Sequence, residues 1–165
     1  MPDSRALWVV FWALLCSGCG FQDDETQSVS THFQKVQQQA DITLTDAGGR
    51  WLVVNIWADW CTPCREEIPE LNALSRAGNI RVVGMDYDGS IGSSLTAKID
   101  ELGIEFPVVD KGFLSRFKRD KPSVLPVTYI ISPRGQWIET RIGPQTREGL
   151  EKQVSYLKRQ ETANE

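Results

Sequence analysis

Histidine is nearly absent from this chain: His32 is the only one in 165 residues. That argues against a Ser-His-Asp triad and against a metal centre built on imidazole ligands. Methionine is almost as scarce, with two residues, so there is no Met-rich segment of the kind soft copper sites use. Excess basic charge is missing too. The formal net charge of −4 gives no reason to expect nucleic acid as a partner. No apolar run reaches the roughly 20 residues of a bilayer span; Ala6 to Leu15 has ten. Four cysteines are too few for a disulfide scaffold. Cys16 and Cys19 lie at the N-terminus, and Cys61 and Cys64 form the pair inside the folded part. A zinc site, which needs about four ligands, has no second half there.

What is present suffices for one core: 41% hydrophobic and 24% charged residues over a single domain's length. The apolar residues 6–15 follow one basic residue, Arg5, and match a signal-peptide h-region. The next four residues, Cys16-Ser17-Gly18-Cys19, resemble a bacterial lipobox, in which small residues precede a cysteine that is lipidated and becomes the new N-terminus. Cys19 fits that role better than Cys16, because Ser17 and Gly18 are small whereas Leu14 and Leu15 are not. Residues 1–18 are therefore expected to be a lipoprotein-type signal peptide, with Cys19 as the lipidation site. An uncleaved anchor helix or plain secretion are the alternatives. Each places the domain outside the cytoplasm, where dithiols can be put to redox use. Residues 19–40, rich in Gln, Asp, Ser and Thr, read as a polar tether. The compact domain is expected at 41–160, and a disordered C-terminus at 161–165.

Ile42 and Leu44 alternate with polar residues, as a short strand would. A turn at Ala47 to Arg50 leads into the apolar, β-branched run Trp51 to Trp57, which suits a buried parallel strand. A helix is expected from Cys61 to about Ala77, with Ile68, Leu71 and Leu74 inward, a kink at Pro69 and a stop at Gly78. Ile80 to Asp86 reads as the next strand. Ser94 is placed to cap a helix through Leu102, which Gly103 ends. Phe106 to Val109 and a helical Phe113 to Arg119 follow. Val127 to Ile131, a turn at 132–135 and Gln136 to Ile142 form a hairpin. Thr146 caps a last helix whose Leu150, Val154 and Leu157 share one face. This order is that of an α/β fold, with a central mixed β-sheet flanked by helices.

The chemistry sits at the first strand-to-helix junction. Cys61 falls where unpaired backbone N–H groups and the helix dipole favour a thiolate, which makes it the candidate nucleophile. Cys64, three residues on, shares its helical face and is the candidate resolving thiol. Pro63 is comfortable in the first turn and stiffens the loop. Glu67 lies a further three residues along. If it is desolvated against the sheet, its pKa rises and it can pass a proton to or from the resolving thiol. Position alone leaves open whether it is instead a solvated charge like Arg65 and Glu66. Trp60 and Trp57 are candidates for a substrate-facing surface, with Trp57 equally suited to the core. Asp59 and Thr62 are neighbours able to tune thiol acidity. Pro126, just before the strand at Val127, reads by itself as an ordinary strand starter in trans.

The segment Asn55-Ile-Trp-Ala-Asp-Trp-Cys-Thr-Pro-Cys-Arg-Glu-Glu-Ile-Pro69 resembles the signature of the TlpA/ResA-like branch of the thioredoxin superfamily, and the resemblance extends over roughly Asp41 to Leu157. It implies a thioredoxin-like fold with family-type inserted elements, in a bacterial envelope protein that is exported or membrane-tethered. It implies that Cys61 and Cys64 are the active dithiol and that Glu67 is the family's acid beside it. It implies that Pro126 is a cis-proline opposite the dithiol. Leu125 would then offer backbone hydrogen bonds to an extended substrate segment, with Trp60, Thr62 and Pro63 also facing substrate. Thioredoxins proper carry a buried aspartate where this chain has Asn55. An amide cannot take a proton, so acid–base work shifts toward Glu67.

These readings converge on an extracytoplasmic disulfide reductase acting on exported proteins, with apocytochrome c or copper-site cysteines as the substrate classes the resemblance suggests. A membrane thiol–disulfide donor would keep it reduced, and a lipid on Cys19 would hold it at the membrane. No cofactor beyond the Cys61–Cys64 disulfide, no metal and no nucleic acid are expected, and a monomer suffices. A disulfide oxidase or isomerase uses the same residues in the other direction. The Thr62-Pro63 dipeptide lacks the histidine that stabilises a thiolate in strong oxidants, which favours reduction. A Cu(I) carrier is a further alternative, ranked lower for want of His and Met ligands. A thiol peroxidase would carry Pro-x-x-x-Thr/Ser-x-x-Cys, which is not found here.

Overall fold

Strand β1, Leu52–Trp57, is buried along its whole length, because neighbours flank it on both edges and side chains cover both faces. A computed structural model of the chain describes residues 49–163. The signal segment, the tether, Cys16, Cys19, His32 and the strand read at Ile42 and Leu44 lie outside the described residues. β1 pairs in parallel with β2 (Arg81–Asp86), which pairs in parallel with the two-residue β3 (Val108–Val109). On its other edge β1 pairs antiparallel with β4 (Val127–Ile131), and β4 antiparallel with β5 (Trp137–Ile142). The result is a mixed five-stranded sheet in the order β3-β2-β1-β4-β5.

Successive side chains of β1 point to opposite faces. Val53 and Trp57 join the cluster formed with Ile68, Leu71 and Leu74 of helix α1 (Thr62–Ala77), Ile99 of α2 (Gly92–Leu102) and Leu150 and Val154 of α4 (Arg147–Ala163). Leu52, Val54 and Ile56 join the other cluster, under Phe113 and Leu114 of α3 (Phe113–Arg116). Asn55 lies on the α1 side by the same alternation, flanked in register by Gly84 and Thr128. Gly84 leaves no room for a side chain: a Cβ there would lie 2.7 Å from Trp57 Nε1 and 2.8 Å from Phe106 Cε2. Both atoms belong to buried rings with little freedom to retreat. Gly84→Ala is therefore expected to cost about 2 kcal/mol by overpacking; an unchanged midpoint in denaturant titration would contradict it.

The element boundaries correct several expectations. α2 starts at Gly92 with Ile91 at its N-cap and no side-chain cap, so Ser94 lies inside the helix. The apolar segment 106–109 contributes only Val108–Val109 to the sheet; Pro107 cannot donate, but its carbonyl accepts from the Gly84 amide at 2.8 Å. α3 is one turn, ending at Arg116, because Phe117 leaves the helical conformation and Lys118 takes a positive φ of 54°. α4 runs past residue 160 to Ala163, and Glu161, read from the sequence as part of a disordered C-terminus, bonds Arg134 at 2.7 Å. α1 is continuous across Pro69, and Gly78 ends it in the left-handed conformation. Thr146 caps α4 through its hydroxyl, which accepts from the Gly149 amide at 3.1 Å. Among the described residues, no helix is long and apolar enough to cross a membrane.

Candidate active site

The chain leaves β1 at Trp57, turns through Ala58 to Trp60 and enters α1 with Cys61 as the N-cap. The Cys61 amide closes the turn on the Ala58 carbonyl at 3.2 Å, and its own carbonyl accepts from Arg65 at 3.1 Å. No side chain caps this helix and no carboxylate lies in its first turn. The field of the helix N-terminus therefore acts on the cysteines without a competing anion, which favours a thiolate once the pair is reduced. Cys61 and Cys64 form a disulfide, with their Cα atoms 5.3 Å apart.

The two sulfurs are not equivalent. Cys61 is 6% exposed and lines an open groove of about 380 Å³, whereas Cys64 is fully buried behind it. Trp60, Thr62, Pro63 and Leu125 line the same groove, together with Tyr87, Ser123 and Val124. The peptide bond joining Leu125 to the buried Pro126 is cis. Trp60 is 62% exposed, yet fixed: its Nε1 donates to Asp88 Oδ2 at 3.1 Å, and its ring meets Tyr87 edge-on at 5.9 Å. Trp57, by contrast, is wholly buried and belongs to the core.

Glu67 is 2% exposed, on the buried face of α1 one turn beyond Cys64. Asn55 Nδ2 donates to its Oε1 at 2.7 Å and the Gln145 amide to its Oε2 at 2.8 Å. Burial dominates over these two hydrogen bonds and pushes the Glu67 carboxyl up to about 7. Glu67 is thus not a solvated charge like the exposed Arg65 and Glu66. Asn55 Nδ2 is also 3.1 Å from Thr128 Oγ1, while its own Oδ1 is buried without a partner. Asp59 is bonded by Lys98, which holds its carboxyl below the usual range.

Sequence reasoning missed Tyr87, Ser123, Val124, Gln145 and Lys98. The first had a signal: Tyr87 follows the C-terminal end of β2, and parallel neighbours bring their C-terminal ends together, so the loop after β2 lies beside the loop bearing Cys61. Ser123 and Val124 immediately precede Leu125 and enter the groove with it, a signal that adjacency offered, whereas Gln145 reaches Glu67 from the loop after β5 without a marked pattern. Among the described residues, no group of three or more His, Cys, Asp or Glu side chains is placed to hold a metal ion.

A disulfide at a helix N-terminus, on a mixed sheet with a cis-proline loop beside it, defines a thioredoxin-like thiol–disulfide oxidoreductase. The model of the AhpC/TSA family matches residues 24–138, and the chain belongs to that family. It is 31% identical over 126 residues to the thiol-disulfide oxidoreductase ResA of Bacillus thuringiensis (strain Al Hakam), covering 72% of this chain and 68% of that protein. It is also 31% identical over 114 residues to the thiol:disulfide interchange protein CycY of Rhizobium leguminosarum bv. viciae, covering 65% of this chain and 61% of that one. The crystal structure of StoA from Bacillus subtilis shares the fold, with a TM-score of 0.52 at 23% identity over 63% of this chain and 81% of that one.

Proposed function

We propose that the protein is an extracytoplasmic reductase of disulfides in exported proteins, with Cys61 as nucleophile, Cys64 as resolving thiol and Glu67 as the group that relays the proton. The observation that carries the roles of the two cysteines is the asymmetry of the pair, with Cys61 on the groove and Cys64 buried behind it. The Cys61 thiolate attacks one sulfur of the client disulfide, forming a mixed disulfide and expelling the other client sulfur as thiolate. Cys64 then loses its proton and attacks Cys61 Sγ, forming the intramolecular disulfide and releasing the second client sulfur. Two electrons pass to the client, whose two thiolates take up two protons. A membrane dithiol donor restores the cycle, and a lipid on Cys19 keeps the domain near it. No bound cofactor and no second subunit enter the cycle. Trp60, Thr62, Pro63 and Leu125 hold an extended client segment, with the Leu125 backbone pairing to it beside Pro126. Cysteine pairs awaiting haem or copper, as in apocytochrome c, are client classes that suit such a reductase.

Trapping tests the assignment. Cys64→Ser leaves the first attack intact and removes the second, so clients should accumulate as mixed disulfides on Cys61 and be identified by mass spectrometry after non-reducing separation. Recovery of no Cys61-linked adduct from envelope extracts would count against the proposed order of attack.

A further inference from the structure

Lys98 does not line the groove, yet it ties together the loops on one side of it. It projects from α2, and its Nζ lies 3.0 Å from Asp59 Oδ1, 3.0 Å from Asp88 Oδ2 and 3.7 Å from Asp86 Oδ1. Asp59 belongs to the loop before Cys61, and Asp86 and Asp88 to the end of β2 and the loop after it. Asp86 is itself buried and fastens its own loop, accepting from the Ser90 amide at 2.7 Å and the Asp88 amide at 3.3 Å. The Asp88 oxygen that meets Lys98 is also the acceptor of the Trp60 indole. One ammonium therefore bridges three carboxylates and weakens their mutual repulsion, and through one of them it fixes the orientation of an exposed tryptophan. Burial alone would lower the Lys98 pKa, but its pairing with the Asp59 and Asp88 carboxylates and the charge of Asp86 raise it, so it stays charged wherever the enzyme works.

We propose that Lys98 is a positioning residue: through Asp88 it holds Trp60 as the groove wall against which an apolar side chain next to the client's reacting cysteine packs. This rests on the reading of the groove as the client site. The wall that Trp60 builds continues through Tyr87, Val124 and Leu125, all groove-lining, and Val124 is itself exposed. An indole held in place in advance loses little freedom when a client side chain covers it, so its contact contributes in full to binding. Without the ammonium, Asp88 has every reason to turn to water, away from Asp59 and Asp86, and Trp60 loses its acceptor. The client class that follows is an extended segment with a leucine or aromatic residue adjacent to its cysteine.

Single turnovers of the pre-reduced protein test this with two peptides, each holding one intramolecular disulfide and differing only in Leu or Ser beside the attacked cysteine. The wild type should half-saturate at a lower concentration of the Leu peptide. Lys98→Met, which keeps the length of the stem, should raise that concentration about tenfold with the limiting rate within about twofold, and erase the preference over Ser. Lys98→Arg should recover a large part of the preference. Asp88→Ala, a change at a partly exposed loop residue, should reproduce the effect of Lys98→Met and serves if that variant folds poorly. A merely structural role would lower the limiting rate for both peptides alike and overturn the proposal. So would Lys98→Met or Asp88→Ala matching the wild type, or a wild type indifferent to Leu and Ser. A wild type that reduces neither peptide would instead overturn the client-site reading itself.

Discussion

Cys61→Ser is expected to bring insulin-disulfide reduction down to the rate of the reductant alone, a loss of about a thousandfold or more. A serine hydroxyl is not ionised near neutral pH, and even the helix N-terminus cannot make it a nucleophile toward sulfur. The reason the loss should be complete lies in the other thiol. Cys64 is fully buried and does not reach the groove, so it cannot take over the first attack. Cys64→Ser differs in kind, since it retains the first step and fails only to release the product. The two variants together separate attack from resolution. An undiminished rate in Cys61→Ser would sink the assignment of this pair as the reacting centre.

The dithiol, the strand before it and the helix after it could be read directly from residues 51–78, because each rests on a local rule: β-branched burial, a helix N-terminus, a glycine stop. Glu67 was placed on the right face of α1 by counting from Cys64, but its environment was not legible. Its partners, Asn55 and Gln145, are 12 and 78 residues away in sequence. Trp57 could not be assigned to core or surface, since both faces of β1 are covered and alternation along it carries no information about exposure. The groove was legible beside the motif and, through the family resemblance, at Leu125 across from it. Trp60, Thr62 and Pro63 adjoin the motif, whereas Tyr87, Ser123 and Val124 come from other loops whose approach depends on strand order. Lys98 was the least visible, a single lysine on an unremarkable helix. Its meaning exists only once the ends of β1 and β2 are side by side. The short α3 was overextended for a related reason: Phe117 suits a helix in isolation but packs against Phe113 and Trp137 at its end.

Glu67 should make the stability of the oxidised protein fall as pH rises through neutrality. In the folded chain its carboxyl sits at about 7, against 4.5 for the unburied group. A carboxyl raised on folding binds its proton more tightly in the native state. Its contribution is therefore fully present below about pH 4.5 and lost as pH rises through about 7. A shift of that size corresponds to about 3 kcal/mol between the two limits. Glu67→Gln removes the titration, so urea midpoints that decline for the wild type between about pH 5 and pH 8 should stay level in the variant. Above neutrality the variant should be the more stable protein by about 2 kcal/mol, part of the gain being offset by hydrogen bonding. Asn55 and the Gln145 amide both donate to the carboxyl as it stands, so an amide NH2 or a protonated oxygen at Glu67 needs an acceptor. Asn55 has one to offer: its buried Oδ1 has no partner, and rotating its amide would turn that oxygen toward Glu67. The same titration should appear in the chemistry, since a carboxyl near neutrality can take the proton that Cys64 must lose before it resolves the mixed disulfide. In the reduced protein, Glu67→Gln should therefore shift the pH dependence of thiol alkylation. Parallel stability curves would remove Glu67 from the pH response, and superimposable alkylation curves would leave it a structural residue.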